Sequence, residues 1–135
     1  MLFALLASMT TSVLVAANPG DASGTKWIEV AGGDWNPGAQ DLAGLEQALK
    51  SALPAAAKHH GRPSSWEKYW FQYQGQKAAS GSQLIHVNAF CDAQSHYTNM
   101  RTRWLYVSGG GACYFQADYD PASSQLSNML VNDES

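Results

Sequence analysis

The chain has 135 residues and a mass of 14.6 kDa, a length that suits one domain with a single hydrophobic core. Charged residues make up 14% of the chain and its formal net charge is −3, so it lacks the basic excess that nucleic acids and anionic membrane surfaces attract. We therefore expect neither nucleic-acid binding nor stable membrane association of the mature chain.

The start of the chain is apolar or small and uncharged, and we interpret residues 1–17 as a signal peptide. Val15-Ala16-Ala17 places small residues where a signal peptidase cleaves, which predicts a mature chain that begins at Asn18. The apolar run is about sixteen residues long, shorter than the roughly twenty that a membrane-spanning helix needs. No basic residue precedes it, so we expect that the natural start lies upstream or that Met1 is an internal start; a buried N-terminal helix is the alternative. Export would place the protein in the periplasm or outside the cell.

The rest of the chain divides into a flexible mature N-terminus, residues 18–25, and a single α+β domain, residues 26–133. Lys26–Val30 alternates enough to predict a short first strand. Asn36-Pro37 then predicts a helix start, because Asn caps free N–H groups and Pro is tolerated at the first helical position.

Apolar residues at helical spacing predict that this helix is long and packs one face on the core. That stripe contains Leu42, Leu45, Leu49, Ala52, Leu53 and Ala56. Glu46 and Lys50 have the spacing of an ion pair on the wet face. Pro54 removes one backbone donor and predicts a kink near Lys50–Leu53, and Gly61 predicts the end of the helix.

From Trp66 onward the period of the apolar residues changes from helical to two, which predicts strands. The first has Tyr69, Phe71 and Tyr73 inward, with Trp66 and Trp70 on the opposite side. Three further strands are predicted at Leu84–Cys91, Trp104–Tyr119 and Gln125–Val131. The fold class is therefore α+β, one long kinked helix packed on a four- to five-stranded antiparallel sheet.

The two cysteines, Cys91 and Cys113, lie at the ends of two alternating apolar sets. If residue 91 lies opposite residue 113, then 89 meets 115, 87 meets 117 and 85 meets 119, which puts both apolar sets on one face. This register predicts a disulfide that stabilises the fold by about 3 kcal/mol. In the competing geometry, one long strand bulged at Gly109-Gly110-Gly111 shifts the register and separates the cysteines.

A kinked helix followed by an antiparallel meander resembles the cystatin-like and NTF2-like superfamilies of small exported proteins. The run GGACYFQADYDP (110–121) and the closing LVN (130–132) also resemble the ending of uncharacterised secreted bacterial proteins of that shape. The resemblance implies the fold and export, but no site. The Gln-x-Val-x-Gly hairpin of cystatins has only Gln72-Tyr73-Gln74-Gly75 as its nearest counterpart, so protease inhibition is not implied.

The sequence offers little that predicts catalysis or cofactor binding. His59, His60, His86, His96 and Asp92 lack the spacing that puts two ligands on one metal, so we expect no metal or other cofactor. The glycine run lacks both the nucleophile elbow and the phosphate-loop lysine, and is interpreted as a bulge or turn. An NTF2-like enzyme needs an acid or base inside the fold, whereas His86, Asp118 and Glu67 fall on the outward side.

The strongest functional indication is a surplus of aromatic residues. Trp66, Trp70, Trp104 and Tyr106 are predicted to lie opposite the apolar set. They form either a second small core, covered by the N-terminal segment or the Asp92–Arg101 loop, or a contact surface for a protein, peptide or glycan.

We therefore expect an exported, monomeric, non-catalytic binding module, an inhibitor or accessory protein whose partner is another protein or peptide. The alternative is an NTF2-like pocket protein that binds a small apolar ligand or catalyses a simple acid/base step. A filled core with an exposed aromatic face favours the first hypothesis, and a cavity with an interior acid or base favours the second.

Overall fold

The computed structural model describes residues 26–92 and 99–134. The predicted signal peptide, the predicted flexible N-terminus and His96 lie outside the described residues. In the two described ranges, one helix and five strands form the fold, and two short 3₁₀ turns, Trp66–Lys68 and Gly111–Cys113, precede β2 and β4. The elements are β1 (Lys26–Glu29), α1 (Ala39–Ala56), β2 (Trp70–Lys77), β3 (Gln83–Phe90), β4 (Tyr114–Asp120) and β5 (Gln125–Val131). Within these ranges no helix has the length and apolar character needed to cross a membrane.

The five strands form one sheet in chain order, and the predicted α+β class is confirmed. Strands β2 to β5 form the predicted antiparallel meander. The prediction of a wholly antiparallel sheet is wrong at one edge, because β1 pairs parallel to β2. The chain passes through α1 between these two strands, and a helical crossover is what lets adjacent strands run the same way.

The predicted register between β3 and β4 is confirmed. Ile85 lies opposite Tyr119, Val87 opposite Ala117 and Ala89 opposite Phe115. The pairing continues past the strand ends, where the Cys91 N–H donates to the Cys113 carbonyl at 2.9 Å, and the two cysteines form the predicted disulfide.

The predicted strand Trp104–Tyr119 is only half a strand. Residues 104–110 lie outside the sheet ladder, and β4 begins at Tyr114. Three successive glycines, Gly109, Gly110 and Gly111, have φ values of 75°, 83° and 63° and turn the chain, which an extended strand cannot do. The competing bulged-strand geometry is therefore not found.

The helix is shorter at both ends than the sequence predicts. It begins after Gly38, whose N–H donates to Asp41 Oδ2 at 2.8 Å, because Trp35 still pairs with Gly75 of the sheet and holds the chain extended. It ends at Ala56 rather than at Gly61. Pro54 lies in its last turn, so the kink at Lys50–Leu53 stays a prediction.

The main core lies between α1 and one side of the sheet, here called the inner face. The predicted helix stripe supplies leucines, and the strands supply the aromatic and β-branched residues that alternate inward. The largest buried contributors are Leu42, Leu45, Leu49, Leu53, Tyr69, Phe71, Ile85, Val87, Phe115 and Tyr119. The core thus fills the inner face and leaves the opposite side of the sheet, here called the outer face, to be covered by something else.

Candidate functional site

The outer face is crossed by the segment Asn99–Gly110, here called the strap. Near one edge, the Ala31 N–H just after β1 donates to the Arg101 carbonyl at 2.7 Å. Near the other, Asn132 Nδ2, just after β5, donates to the carbonyls of Val107 at 2.8 Å and Gly109 at 2.9 Å. The strap therefore spans the sheet from the β1 side to the β5 side, between the two disulfide-linked cysteines.

Two buried amides hold the strap in place. The side chain of Gln72 is fully buried, and its Nε2 donates to the carbonyls of Met100 at 2.8 Å and Arg103 at 2.7 Å. Its Oε1 accepts hydrogen bonds from the Leu105 N–H at 2.8 Å and from Asn88 Nδ2 at 3.1 Å. Asn88 Nδ2 also donates to the Leu105 carbonyl at 2.6 Å. These bonds satisfy the strap backbone as a neighbouring strand would, and they fix the position of Leu105 between Trp104 and Tyr106.

The four predicted binding aromatics do not form one group, and the outward placement of Trp66 is wrong. Trp66 lies in the 3₁₀ turn before β2, with its ring 5.1 Å from that of Phe71 and its Nε1 donating to Glu46 Oε1 at 3.0 Å. The 3₁₀ turn interrupts the alternation, so counting by twos back from β2 assigns the wrong side. Glu46, predicted on the wet face, is only 7% exposed, although its predicted pair with Lys50 is present at 3.3 Å.

Trp70 does lie on the outer face, but at the β1 edge. The Lys26 ammonium sits 4.1 Å from the centroid of its ring. Trp70 pairs with Phe90, whereas His86 pairs with Gln74, four residues further along β2. At about 3.4 Å per residue these two positions are about 14 Å apart along the strand, so Trp70 belongs to a different part of the surface from His86.

Trp104 and Tyr106 come together on the strap, above β3. The centroids of their rings lie 6.2 Å apart, and the two rings are nearly parallel. The rings of Trp104 and His86 meet edge to face, with their centroids 5.0 Å apart. Tyr106 is 53% exposed. Two of the four predicted aromatics thus form a small exposed cluster, and His86 joins it from the sheet.

His86 links this cluster to a carboxylate. Its Nδ1 lies 2.8 Å from Asp118 Oδ1, and its Nε2 lies 3.3 Å from the Tyr106 hydroxyl. Asp118 Oδ2 accepts a hydrogen bond from Asn128 Nδ2 at 2.9 Å. The predicted register already implied that residue 86 faces residue 118. Asn128 was missed, because its left-handed backbone, with φ at 52°, breaks the alternation of β5.

The order carboxylate, imidazole, hydroxyl is that of a hydrolytic triad, but the pKa of the tyrosine is shifted in the direction opposite to that of an activated nucleophile. Partial burial and the nearby negative charge of Asp118 both raise the pKa of Tyr106 above its ordinary value. An activated nucleophile needs a lowered pKa or a base that removes its proton readily. The phenol therefore stays protonated at neutral pH, and the Asp118–His86 pair orients it as a hydrogen-bonding group.

A second exposed apolar residue lies on the same face of the sheet. Leu130 is 64% exposed and lies opposite Gln116 in the register of β4 and β5. It falls between Asn128, which bonds to Asp118, and Asn132, which bonds to the strap. We call the surface formed by Trp104, Tyr106, His86, Asp118, Asn128 and Leu130 the outer patch.

The groups that could hold a metal are dispersed across residues 26–92 and 99–134, where no cluster of three or more His, Cys, Asp or Glu side chains occurs. His60 contacts the end of the chain, with its Nδ1 3.1 Å from the Asn132 carbonyl oxygen and 3.4 Å from Asp133 Oδ1. Its role is to connect the segment after α1 to the segment after β5.

Comparisons of the chain with protein-family models, curated proteins and solved structures found no match. The resemblance to cystatin-like and NTF2-like proteins therefore stays a prediction, and the features that indicate a function lie on the outer face.

Proposed function

We propose that this protein is an exported, non-catalytic binding module that contacts a partner protein or peptide through the outer patch. The observation that carries the proposal is the placement of Tyr106 and Leu130. They are the exposed large hydrophobic side chains of residues 26–92 and 99–134, and both lie on the outer face. A shared location on one face is typical of a contact surface, whereas isolated exposed hydrophobic residues need no explanation.

The chemistry of the outer patch also favours a protein partner. Tyr and Trp dominate the binding energy of many protein interfaces, where a polar rim surrounds them. Here Trp104 and Tyr106 supply the aromatic centre, and Asp118 and Asn128 supply hydrogen-bonding groups beside it. The negative charge of Asp118 favours a partner that presents donors or basic side chains.

The anchoring of the strap supports binding by a preformed surface. Gln72 and Asn88 fix Leu105 from beneath, and the disulfide joins the segments on either side of the strap. A surface that is already ordered loses less conformational entropy when a partner binds. The strap therefore presents Trp104 and Tyr106 at low entropic cost.

Export, and membership of a cystatin-like or NTF2-like group of small secreted proteins, are part of the proposal. The Cys91–Cys113 disulfide supports export, because disulfides persist in oxidising compartments and are rare in the cytosol. The order of one helix followed by an antiparallel meander supports the group. We propose further that the mature protein acts as a monomer in the periplasm or outside the cell.

The alternative, an NTF2-like pocket protein, receives less support. The helix–sheet interior is occupied by the fully buried rings of Tyr69, Phe71 and Phe115. Among the described residues, Glu46 is the one carboxylate that is buried, and Trp66 and Lys50 already bind it. The His86–Asp118 pair lies on the other side of the sheet, where an interior reaction could not use it.

Site-specific photo-crosslinking tests this proposal. A photoreactive amino acid replaces Tyr106, Leu130 or, as a matched control, Gln47 on the exposed side of α1 in cells that produce the full chain. We expect a discrete crosslinked species of the same mass from positions 106 and 130 and none from position 47. Trp104→Ala should abolish that species while the free energy of unfolding changes by less than about 1 kcal/mol. Equal crosslinking from all three positions, or none from 106 and 130, would contradict the proposal.

A further inference from the structure

We infer that a groove between β1 and the strap binds a small carboxylate with an apolar body. The groove has a volume of about 470 Å³, and its lining residues are Ile28, Trp70, Asn99, Met100, Arg101 and Thr102. This volume lies in the range of small-molecule sites. The groove is at the β1 edge, apart from the outer patch, and the inference goes beyond the proposed function.

The apolar part of the groove comes from both the sheet and the strap. Ile28 of β1 and Trp70 of β2 lie on the outer face, and Met100 approaches from the strap. Ile28 is only 8% exposed, and Trp70 and Met100 are half-buried. A ligand body placed there meets a branched aliphatic, an indole and a thioether, which suit an aromatic ring or a short alkyl chain.

The walls of the groove are held in place before any ligand binds. The Met100 carbonyl accepts from Gln72, and the Arg101 carbonyl accepts from the Ala31 N–H. The N–H groups of Thr102 and Arg103 both donate to the Asn99 carbonyl, at 3.0 and 2.9 Å, which closes the turn that opens the strap. A site that is largely preformed needs little reorganisation on binding.

The charge at the groove selects an anion. The Arg101 side chain is exposed at the rim, and the Lys26 ammonium lies over the Trp70 ring. No ion pair between residues in the ranges 26–92 and 99–134 includes either cation. Glu29 is the acid near this groove. Burial first and then the charge of Glu29 raise the pKa of Tyr73, whereas the charge of Arg101 lowers it. Glu29 and Arg101 therefore both lie close enough to Tyr73 to act on its hydroxyl.

A carboxylate is the anion that this arrangement fits best. A guanidinium pairs with a carboxylate through two parallel hydrogen bonds, which orients the ligand as well as attracting it. An inorganic anion would make no contact that uses the apolar surface of Ile28, Trp70 and Met100, and a neutral hydrocarbon would not use the charge of Arg101. The ligand class is therefore a monocarboxylate whose ring or chain enters the groove while its charge remains at the rim.

Binding of 3-phenylpropionate to the full protein tests this inference. We expect binding at millimolar concentration, with chemical-shift changes at the Trp70 indole N–H and the Met100 methyl group in NMR spectra. The neutral analogue 3-phenylpropanamide and inorganic phosphate should each bind at least about tenfold more weakly. Arg101→Gln should weaken carboxylate binding by a similar factor, whereas Arg103→Gln, the exposed arginine two residues further along the strap, should leave it unchanged.

Each alternative result is decisive. If the amide binds as tightly as the carboxylate, the groove is an apolar site and the charge selection is wrong. If Arg101→Gln and Arg103→Gln weaken binding equally, only the general positive charge of the strap matters. If 3-phenylpropionate shifts neither Trp70 nor Met100, there is no such site. Because Arg101 is exposed and contributes its backbone to the fold, its substitution should leave the folded structure intact.

Discussion

The two faces of the sheet are covered by different physical means. On the inner face, α1 buries leucines against the rings of Phe71 and Phe115. On the outer face, an irregular segment without helical or strand periodicity lies on the sheet, and the buried amides of Gln72 and Asn88 hold it there. A sheet face can thus be covered by a segment that is neither helix nor strand, provided that side chains satisfy the backbone of that segment.

The difference determines which face can carry a binding surface. Hydrophobic burial is non-directional and favours complete coverage, which is what the inner face has. Hydrogen bonds from two fixed amides hold the strap at particular points and leave the surface between them accessible. A small apolar layer of Ile28, Val30 and Phe90 is buried on the outer face, but Tyr106 and Leu130 remain exposed there. Four measurements would separate the two means of coverage.

The largest expected effect is on the inner face. Phe115→Ala removes a fully buried ring that contacts Tyr69 and Phe71, and should lower the free energy of unfolding by about 3–5 kcal/mol. Denaturant unfolding followed by tryptophan fluorescence measures this change. Leu130→Ala on the outer face is the control, because Leu130 is 64% exposed, and should change stability by less than about 0.5 kcal/mol. Similar losses in both variants would mean that the outer face contains a second core.

The disulfide should come next. Replacing Cys91 and Cys113 together by Ser opens a loop of sequence separation 22 and should cost about 3 kcal/mol. The loss of stability should be largest in the strap, because β3 and β4 remain hydrogen-bonded to each other from Ile85 to Phe90. Hydrogen exchange should therefore show a larger loss of protection at the Leu105 N–H than at the amides of β3. A uniform loss across the sheet would show that the disulfide stabilises both faces alike.

Removing the side-chain amide of Gln72 should lower the free energy of unfolding by less than removing the disulfide does, and it should loosen only the strap on the outer face. Gln72→Met keeps the length of the side chain while the Leu105 N–H and the carbonyls of Met100 and Arg103 lose their partner, so we expect a loss of about 1–3 kcal/mol. Denaturant unfolding and hydrogen exchange of the strap amides measure it.

Gln76→Met is the matched control for this substitution. Gln76 lies on the same side of the same strand, and its side-chain amide bonds to Gln74 rather than to the strap. It should leave protection of the strap unchanged. If the two variants behave alike, hydrogen bonds from Gln72 are not what holds the strap.

The inner face could largely be predicted from the sequence, because its interactions follow periodic patterns. The spacing of Leu42, Leu45 and Leu49 predicts the helix stripe, and the alternation of Ile85–Ala89 with Phe115–Tyr119 fixes one register. The disulfide follows from the same register. The parallel pairing of β1 could not be predicted, because a strand of four residues carries too little pattern to specify its neighbour.

The outer face could be predicted only in part. The contact between His86 and Asp118 follows from the predicted register, but the strap does not, since its anchors are single amides at Gln72 and Asn88 that carry no periodic signal. The strap in turn places Trp104 and Tyr106, so their outward side could be predicted but their contacts with His86 could not. Trp66 was misplaced for a local reason, the 3₁₀ turn that interrupts the alternation before β2.

The smallest expected effect is the alkaline pH dependence of two tyrosines, one on each face. Burial raises the pKa of Tyr69, whose hydroxyl donates to the Ala112 carbonyl; burial and then Asp118 raise that of Tyr106. Both groups are protonated in the folded and unfolded states at neutral pH, so their full contribution is present below the ordinary tyrosine pKa of about 10. As the pH rises through that value the unfolded chain loses its protons first, which favours unfolding and lowers stability until the folded-state pKa is passed.

Comparing Tyr69→Phe with Tyr106→Phe separates these two contributions. Tyr69 is fully buried and Tyr106 is 53% exposed, so solvent screens the charge of Tyr106 more strongly. Tyr69→Phe should therefore flatten the loss of stability that begins as the pH rises through about 10 more than Tyr106→Phe does. Urea unfolding at several pH values measures the slope, which is the quantity to compare because Tyr69→Phe also loses two hydrogen bonds, to the Ala112 carbonyl and from the Ser64 N–H, each worth about 1 kcal/mol at every pH. Lysine deprotonation contributes equally to both variants and cancels in the difference. Equal slopes would show that the phenol on the outer face is held as tightly as the one in the core, and that the strap resembles a second packed layer rather than a surface held at a few points.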